Sequence, residues 1–213
     1  IYVSSTASAS GGAPGGIFVS DHDSFEPLGP WEIERGPQQL AYDFWWHLGW
    51  DTMVTSEWGT PAQVEHGVQP ELLMAKEYGR RLHFWDLRAR RHVQSLLLGD
   101  DNQMVLELRP AHDPTKRHGF VNVVLNLTDL SSSIWTWFHN GEEWQAKKVI
   151  DIPAEPADAA ILPPALVPFG AVPPLVSDIA LSLDDRFLYV ACWGTGELRR
   201  YDVTDPLAPQ LVS

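Results

Sequence analysis

The chain has 213 residues, a formal net charge of −13 at pH 7 and a hydrophobic share of 44% that includes ten tryptophans. This apolar content is enough for a substantial core, and no run approaches the roughly 18 apolar residues that a membrane span requires. Nucleic-acid affinity depends on lysine and arginine neutralising phosphates. Because the chain has 28 acidic residues against 15 basic ones, we expect no nucleic acid as a partner. The single cysteine, Cys192, excludes an internal disulfide, and its apolar surroundings predict a buried, inert thiol.

The first predicted elements, in residues 1–34, belong to an incomplete blade. Ile1-Tyr2-Val3 has the character of a strand end, so we expect the chain to begin inside a fold. Residues 17–21 and a run that ends at residues 31–33 predict outer strands. The inner strand of this blade is expected to lie outside the chain.

Three further units each predict four short strands joined by hairpin turns, which makes each unit an antiparallel meander. The unit of about residues 41–98 predicts strands at 42–46, 52–58, 81–86 and 92–98, with a short helix at 71–74. The unit of about residues 104–152 predicts strands at 104–108, 119–127, 133–138 and 144–152. The unit of about residues 176–213 predicts strands at 179–183, 186–193, 197–203 and 210–212.

Two stretches are predicted to lie outside the strands. Residues 153–174 contain seven prolines, and proline lacks the N–H that a strand ladder needs, so this stretch is expected to connect two blades without regular strands. The basic cluster of Arg88, Arg90, Arg91 and His92 is interpreted as a solvated hairpin turn.

The third strands of three units contain an aromatic residue and end in an aspartate, at residues 18–21, 84–86 and 200–202. This repeat of about 50–65 residues is typical of the long end of propeller repeats, whereas a β-sandwich would not repeat one marked four-strand unit. We therefore predict an all-β fold: a single incomplete β-propeller over residues 1–213, with about three and a half blades of four antiparallel strands. Since blades bury their faces against each other, the missing blades of the same propeller are expected partners, and the chain alone is expected to self-associate.

Candidate site residues are isolated in sequence, as expected where each blade contributes one inner-strand ligand. His112 follows the inner strand at 105–109 and is the candidate metal ligand; His47 has a comparable position, and either histidine could instead cap a turn. Weak catalytic candidates are Asp43, Glu57 and Asp178. Asp178 opens an inner strand, and Glu57, in a largely apolar strand, must pair or have a raised pKa. A buried ion pair explains Glu57 at least as well as catalysis does.

Several stretches resemble signatures of the selenium-binding protein family. Residues 42–46 and 56–59 resemble its G-Y-D-F-W and S-T-E-W motifs, and residues 82–86 resemble its L-Y-V-W-D strand. Residues 109–114 resemble R-x-x-H-N-P, and residues 181–189 and 196–202 are similar to the family's most recognisable run. The resemblance covers essentially the whole chain, in order.

This resemblance implies a propeller about twice as long, of which the chain is the middle portion. It implies a methanethiol oxidase that converts methanethiol, oxygen and water to formaldehyde, hydrogen sulfide and hydrogen peroxide, with copper in bacterial members. It makes His112 a copper ligand or channel residue, while Asp43, Glu57 and Asp178 match family positions without an assigned role. The family's H-H-S-G-W-N, H-x-x-H-C and H-E-L segments and its selenium-linked cysteine lie outside these residues. The chain alone is therefore expected to lack a complete metal site and to be inactive.

Two other functions stay open at this point. The main alternative is a non-catalytic propeller that binds selenium or protein partners, and a weaker one is a metal-dependent hydrolase, which would need several inner-strand carboxylates. The family occurs in the cytosol and in the bacterial periplasm, so the sequence leaves the compartment open between these two.

Overall fold

The computed structural model describes residues 1–213 and folds most of them into four successive antiparallel sheets. The first sheet contains β1 (Tyr2–Ser5), β2 (Gly16–Ser20) and β3 (Pro27–Pro30). The second contains β4 (Phe44–His47), β5 (Thr52–Thr55), β6 (Arg81–Asp86) and β7 (Arg91–Leu97). The third contains β8 (Asn102–Pro110), β9 (His118–Asn126), β10 (Ser132–His139) and β11 (Trp144–Ile152).

A two-residue ladder, β12 (Glu155–Pro156) with β13 (Ala171–Val172), precedes the fourth sheet. That sheet contains β14 (Val176–Leu181), β15 (Phe187–Cys192), β16 (Glu197–Asp202) and β17 (Gln210–Leu211). The helical segments are α1 (Pro61–Glu65), α2 (Pro70–Met74) and two 3-10 turns, Leu48–Trp50 and Val167–Phe169. None of these helices has the length and apolar character needed to cross a membrane.

In each four-stranded sheet, strand order follows chain order, as in a meander. The first strands of these sheets are neighbours, because β8 packs beside both β4 and β14. This arrangement makes them the inner strands of adjacent blades. The prediction of an all-β, partial β-propeller is confirmed: the structure has three four-stranded sheets and one three-stranded sheet.

The core lies between neighbouring sheets rather than inside one of them. Trp31, which directly follows β3, meets Trp85 of the second sheet edge-on, with ring centroids 5.8 Å apart. Between the second and third sheets, Phe84 stacks on Trp144 at 4.7 Å. The core between the third and fourth sheets includes Cys192, which is free and buried, as predicted, and burial raises the pKa of its thiol.

Two strand predictions were wrong in detail. The strand predicted at 52–58 ends at Thr55, because Glu57 leaves the sheet and its carbonyl accepts the N–H of Val105 in β8 at 3.1 Å. Residues 153–174, predicted without strands, form the short β12–β13 ladder. The ladder tolerates Pro156 because it is only two residues long and lies at an edge.

The basic turn also differs from its interpretation. Arg88 is solvated, with a side chain 85% exposed, but His92 belongs to β7 and contacts the buried His83. A register shift between Phe84 and Trp85 accounts for this inward position. The first sheet was also only partly predicted, since β1 forms a full partner of β2.

Candidate functional site

A cleft of about 290 Å³ lies where the inner strands β4 and β8 end. Its walls combine two tryptophan rings with two histidines and one arginine. The lining residues are Trp45, Trp46, His47, Leu48, Arg109, Pro110, Ala111, His112 and Pro114. The cleft therefore brings His112 and His47 to one surface, as their similar positions in sequence suggested.

His112 is held by an aspartate from the next blade. Its Nδ1 lies 2.9 Å from Oδ1 of Asp185, and its backbone N–H donates to the same oxygen at 2.8 Å. The other carboxylate oxygen accepts the N–H of Asp113 and the Nζ of Lys116, each at 3.1 Å. This bonding fixes the His112 ring through Nδ1, while Nε2, on a side chain 42% exposed, makes no hydrogen bond within the chain.

Asp185 is almost completely buried, with a side chain 3% exposed. Burial opposes its ionisation, but the hydrogen bonds from His112, Asp113 and Lys116 together outweigh burial and lower its pKa to about 2. Asp185 is therefore a carboxylate at neutral pH. A carboxylate bonded to one nitrogen of a histidine is the usual orienting group of a metal-binding imidazole.

His47 is the second imidazole of the cleft. Only 3% of the residue is exposed, and Nε2 contacts the carbonyl oxygen of Lys116. Its Nδ1 is buried without a hydrogen-bond partner, and burial lowers the pKa of the ring. A neutral imidazole with an unpartnered nitrogen is a competent ligand for a transition metal.

Arg109 gathers carboxylates from three inner-strand segments. Its guanidinium lies 3.4 Å from Asp43, which precedes β4, and 3.0 Å from Glu107 in its own strand β8. A third contact, of 3.0 Å, reaches Asp178 in β14. The structure thus brings two of the three predicted catalytic residues, Asp43 and Asp178, to one cation beside the cleft.

The Arg109 cluster perturbs its acidic members. Burial raises the pKa of Asp43 to about 6, and the negative charge of the nearby Glu107 raises it further. The N–H of Leu108, which donates to Asp43 at 2.8 Å, acts in the opposite direction and lowers this pKa. Tyr42 donates its hydroxyl to Glu107 at 2.8 Å, and burial raises the tyrosine pKa. Asp43 therefore titrates near neutrality, a useful property for proton transfer.

Glu57, the third predicted catalytic residue, lies outside the cleft. Its Oε1 is 2.9 Å from Nε2 of the fully buried His83. Its Oε2 accepts the backbone N–H groups of Arg80 and Arg81, each at 3.1 Å. Glu57 thus forms a buried pair, which is the structural alternative offered by its sequence position.

Sequence reasoning missed the residues that act as partners. Arg109 and Asp185 both lie in recognisable motifs, at residues 109–114 and 181–189. However, a motif does not reveal which distant residue it contacts, and Asp185 is 73 positions from His112. Glu107 belongs to no functional motif, and its position in the sequence shows only the alternation of polar and apolar residues that is typical of a strand.

The 56 kDa selenium binding protein family model (SBP56) matches residues 1–213. The chain belongs to this family. It is 35% identical over 213 residues to the methanethiol oxidase of Danio rerio, covering 100% of the chain and 44% of that relative. It is 37% identical over 212 residues to the human methanethiol oxidase, covering 99% of the chain and 42% of that relative. The chain thus spans less than half the length of the curated relatives it matches.

Two solved structures resemble the chain, and the first agrees with the family assignment. The chain resembles a hypothetical selenium-binding protein from Sulfolobus tokodaii with a TM-score of 0.95 and 56% identity, covering 99% of the chain and 46% of that protein. It also resembles the hydrazine synthase of Kuenenia stuttgartiensis with a TM-score of 0.59 at 10% identity, covering 92% of the chain and 47% of that protein. The second likeness concerns the fold alone.

Proposed function

We propose that the complete protein containing this chain is a copper-dependent methanethiol oxidase. In the proposed reaction, methanethiol, oxygen and water give formaldehyde, hydrogen sulfide and hydrogen peroxide. The proposal is supported by family membership and by relatives, 35% to 37% identical, that carry the name methanethiol oxidase. The substrates would then be a small thiol and oxygen.

The observation that carries the proposal is that only one of the two nitrogens of the His112 ring is hydrogen-bonded within the chain. Nδ1 is fixed by the Asp185 carboxylate, and Nε2 at the cleft has no partner. Imidazole nitrogen is a preferred ligand of copper, and the unpartnered Nδ1 of His47 fits the same ion chemistry. These residues provide part of a copper site, and further ligands would come from elsewhere in the complete protein. We accordingly propose that the chain alone is inactive.

When bound, copper would supply the electron transfer between thiol and oxygen. The chain's own residues would hold and surround it: Asp185 orients His112, while the rings of Trp45 and Trp46 form an apolar wall beside a one-carbon thiol. Asp43, with a pKa near 6, would exchange a proton within the Arg109 cluster. Any selenium binding would use residues outside the chain, because its one thiol, Cys192, is buried.

The test uses the complete protein and two matched variants. We expect His112→Ala to lower copper content and methanethiol-dependent peroxide formation at least tenfold while the melting temperature stays close to that of the parent protein. His66→Ala, at an exposed histidine after α1, should match the parent in all three measurements. Full copper retention in His112→Ala would return His112 to a turn-capping role. Absence of both copper and peroxide in the parent would favour a non-catalytic binding propeller.

A further inference from the structure

A pair of facing imidazoles lies in the second sheet, outside the cleft. Nδ1 of His83 and Nε2 of His92 are 3.1 Å apart, with ring centroids at 5.3 Å and ring planes inclined by 62°. His83 is fully buried, and His92 is partly exposed. A nitrogen of each imidazole thus faces the other, at the boundary between a buried and a partly exposed side chain.

A β-bulge produces this juxtaposition. Phe84 pairs with Gln94, but Trp85 pairs with His92, so Val93 is an extra residue in β7. In a regular ladder Trp85 would face Val93, and His92 would point to the other side of the sheet. The bulge therefore moves His92 to the face that carries His83, and bulges commonly re-aim side chains in this way.

Glu57 completes the arrangement from the far side of the His83 ring. Its Oε1 lies 2.9 Å from Nε2, and it is itself fixed by two backbone N–H groups. A carboxylate at this position keeps the proton on Nε2 and directs the lone pair of Nδ1 outward. The ring of Trp85 packs edge-on against His92 with centroids 5.1 Å apart, which restricts the second imidazole.

We propose that His83 and His92 bind one divalent transition-metal ion, with Glu57 as the group that orients His83. An ion at about 2.0–2.1 Å from each nitrogen in tetrahedral geometry separates the two nitrogens by roughly 3.3–3.4 Å, close to the distance in the structure. Zn²⁺ and Cu²⁺ are the ions that favour such nitrogen ligands, and water would fill the remaining positions.

The protonation state of His92 suits a metal ligand. Burial, together with the neighbouring His83, lowers the pKa of His92 to about 4, so its ring is neutral at pH 7. Neutral imidazole is the form that binds metal, and the ion replaces the proton that otherwise joins the two rings. This site is independent of the copper chemistry proposed for His112.

The proposal is tested by titrating the complete protein with Zn²⁺. All variants carry His112→Ala, so that metal bound at the cleft cannot be mistaken for metal bound at His83 and His92. We expect the His92→Gln variant to bind one equivalent of Zn²⁺ less than the matched control, His66→Gln. Glu57→Gln should retain the equivalent with 10- to 100-fold weaker affinity. Equal stoichiometry in His92→Gln and the control would overturn the proposal.

A second measurement does not require a variant to fold. Crystals of the parent protein soaked in Zn²⁺ should show an anomalous peak at the zinc edge between Nδ1 of His83 and Nε2 of His92. Absence of a peak there, with zinc density elsewhere in the same crystal, would reduce the pair to a structural hydrogen bond.

Discussion

Asp185 connects two blades through a single carboxylate. It occupies the hairpin turn between β14 and β15 with a left-handed φ of 57°, and all its side-chain contacts are made with the loop after β8. Because this loop carries His112, the fourth sheet positions a side chain that the third sheet supplies. The position of the candidate ligand therefore depends on packing between blades.

Replacing Asp185 with asparagine should make the free energy of unfolding less dependent on pH in the acidic range. Asparagine tolerates the left-handed backbone, so the change mainly removes the charge. Because the native pKa of about 2 lies below the ordinary value of 3.8, the carboxylate stabilises the fold above pH 4 and loses this effect as pH falls towards 2. We expect Asp185→Asn to cost about 2 kcal/mol at pH 7 and much less at pH 2.5, measured by urea unfolding.

Asp158→Asn is the matched control for this prediction. Asp158 lies exposed in the proline-rich connection, and its carboxylate accepts only the N–H of Ala160. We expect its effect at pH 7 to stay within about 0.5 kcal/mol. An Asp185→Asn penalty that is the same at both pH values would show that the charge of the carboxylate is not what stabilises the loop.

The same residues show how far the sequence can predict the site. The sequence predicts that His112 follows an inner strand, because the strand before it and the motif around it are local features, and His112 does follow β8. Its partner is a residue 73 positions away, and the convergence of Asp43 and Asp178 on Arg109 depends on three strands becoming neighbours. Contacts of this kind are set by the order and tilt of blades, which strand patterns do not contain.

At the scale of elements, Gly119 shows why one strand requires a residue without a side chain. Gly119 in β9 pairs with Trp137 in β10, whose fully buried indole covers the glycine. A Cβ at this position would overlap the indole and lie 2.8 Å from the carbonyl oxygen of Arg109. One of these contacts is a fully buried ring and the other is backbone, so neither can swing aside as the end of a flexible side chain could.

We therefore expect Gly119→Ala to destabilise the chain by about 1–3 kcal/mol, the usual cost of overpacking a core. The midpoint of urea unfolding measures this effect. Gly12→Ala supplies the comparison, because a Cβ there meets no atom within 4 Å. Similar midpoints for the two variants would mean that the third sheet relaxes around Trp137 at little cost.

The elements themselves were largely predictable, because a hairpin is specified by alternation and by its own turn. The strands at 81–86 and 144–152 match their predicted limits, and the helix predicted at 71–74 lies within α2. What could not be predicted is where a strand departs from regularity. β5 ends where Glu57 bridges Val105 of β8, and the bulge at Val93 lies close to a bridge between Arg91 and Glu34, which is outside the hairpin.

At the scale of the molecule, the sheets are covered unequally. The second and third sheets each pack against two neighbouring sheets, whereas the fourth packs only against the third, so one of its faces is open. Register places Leu198 beside Ala191, and Tyr189 beside Ala180, on that face, and Leu198 is 69% exposed. A propeller blade normally buries such a face against the next blade.

This open face should make the isolated chain self-associate. We expect light scattering coupled to size-exclusion chromatography to show oligomers, and Leu198→Lys to shift the distribution towards monomer, because a charge on the face opposes apolar contact between copies. Ile161→Lys adds the same charge at an equally exposed residue, 77% accessible, in the proline-rich connection, and should leave the oligomers unchanged. A monomeric parent chain that melts cooperatively would contradict this prediction, because it would show that the fourth sheet is stable with one face exposed to water.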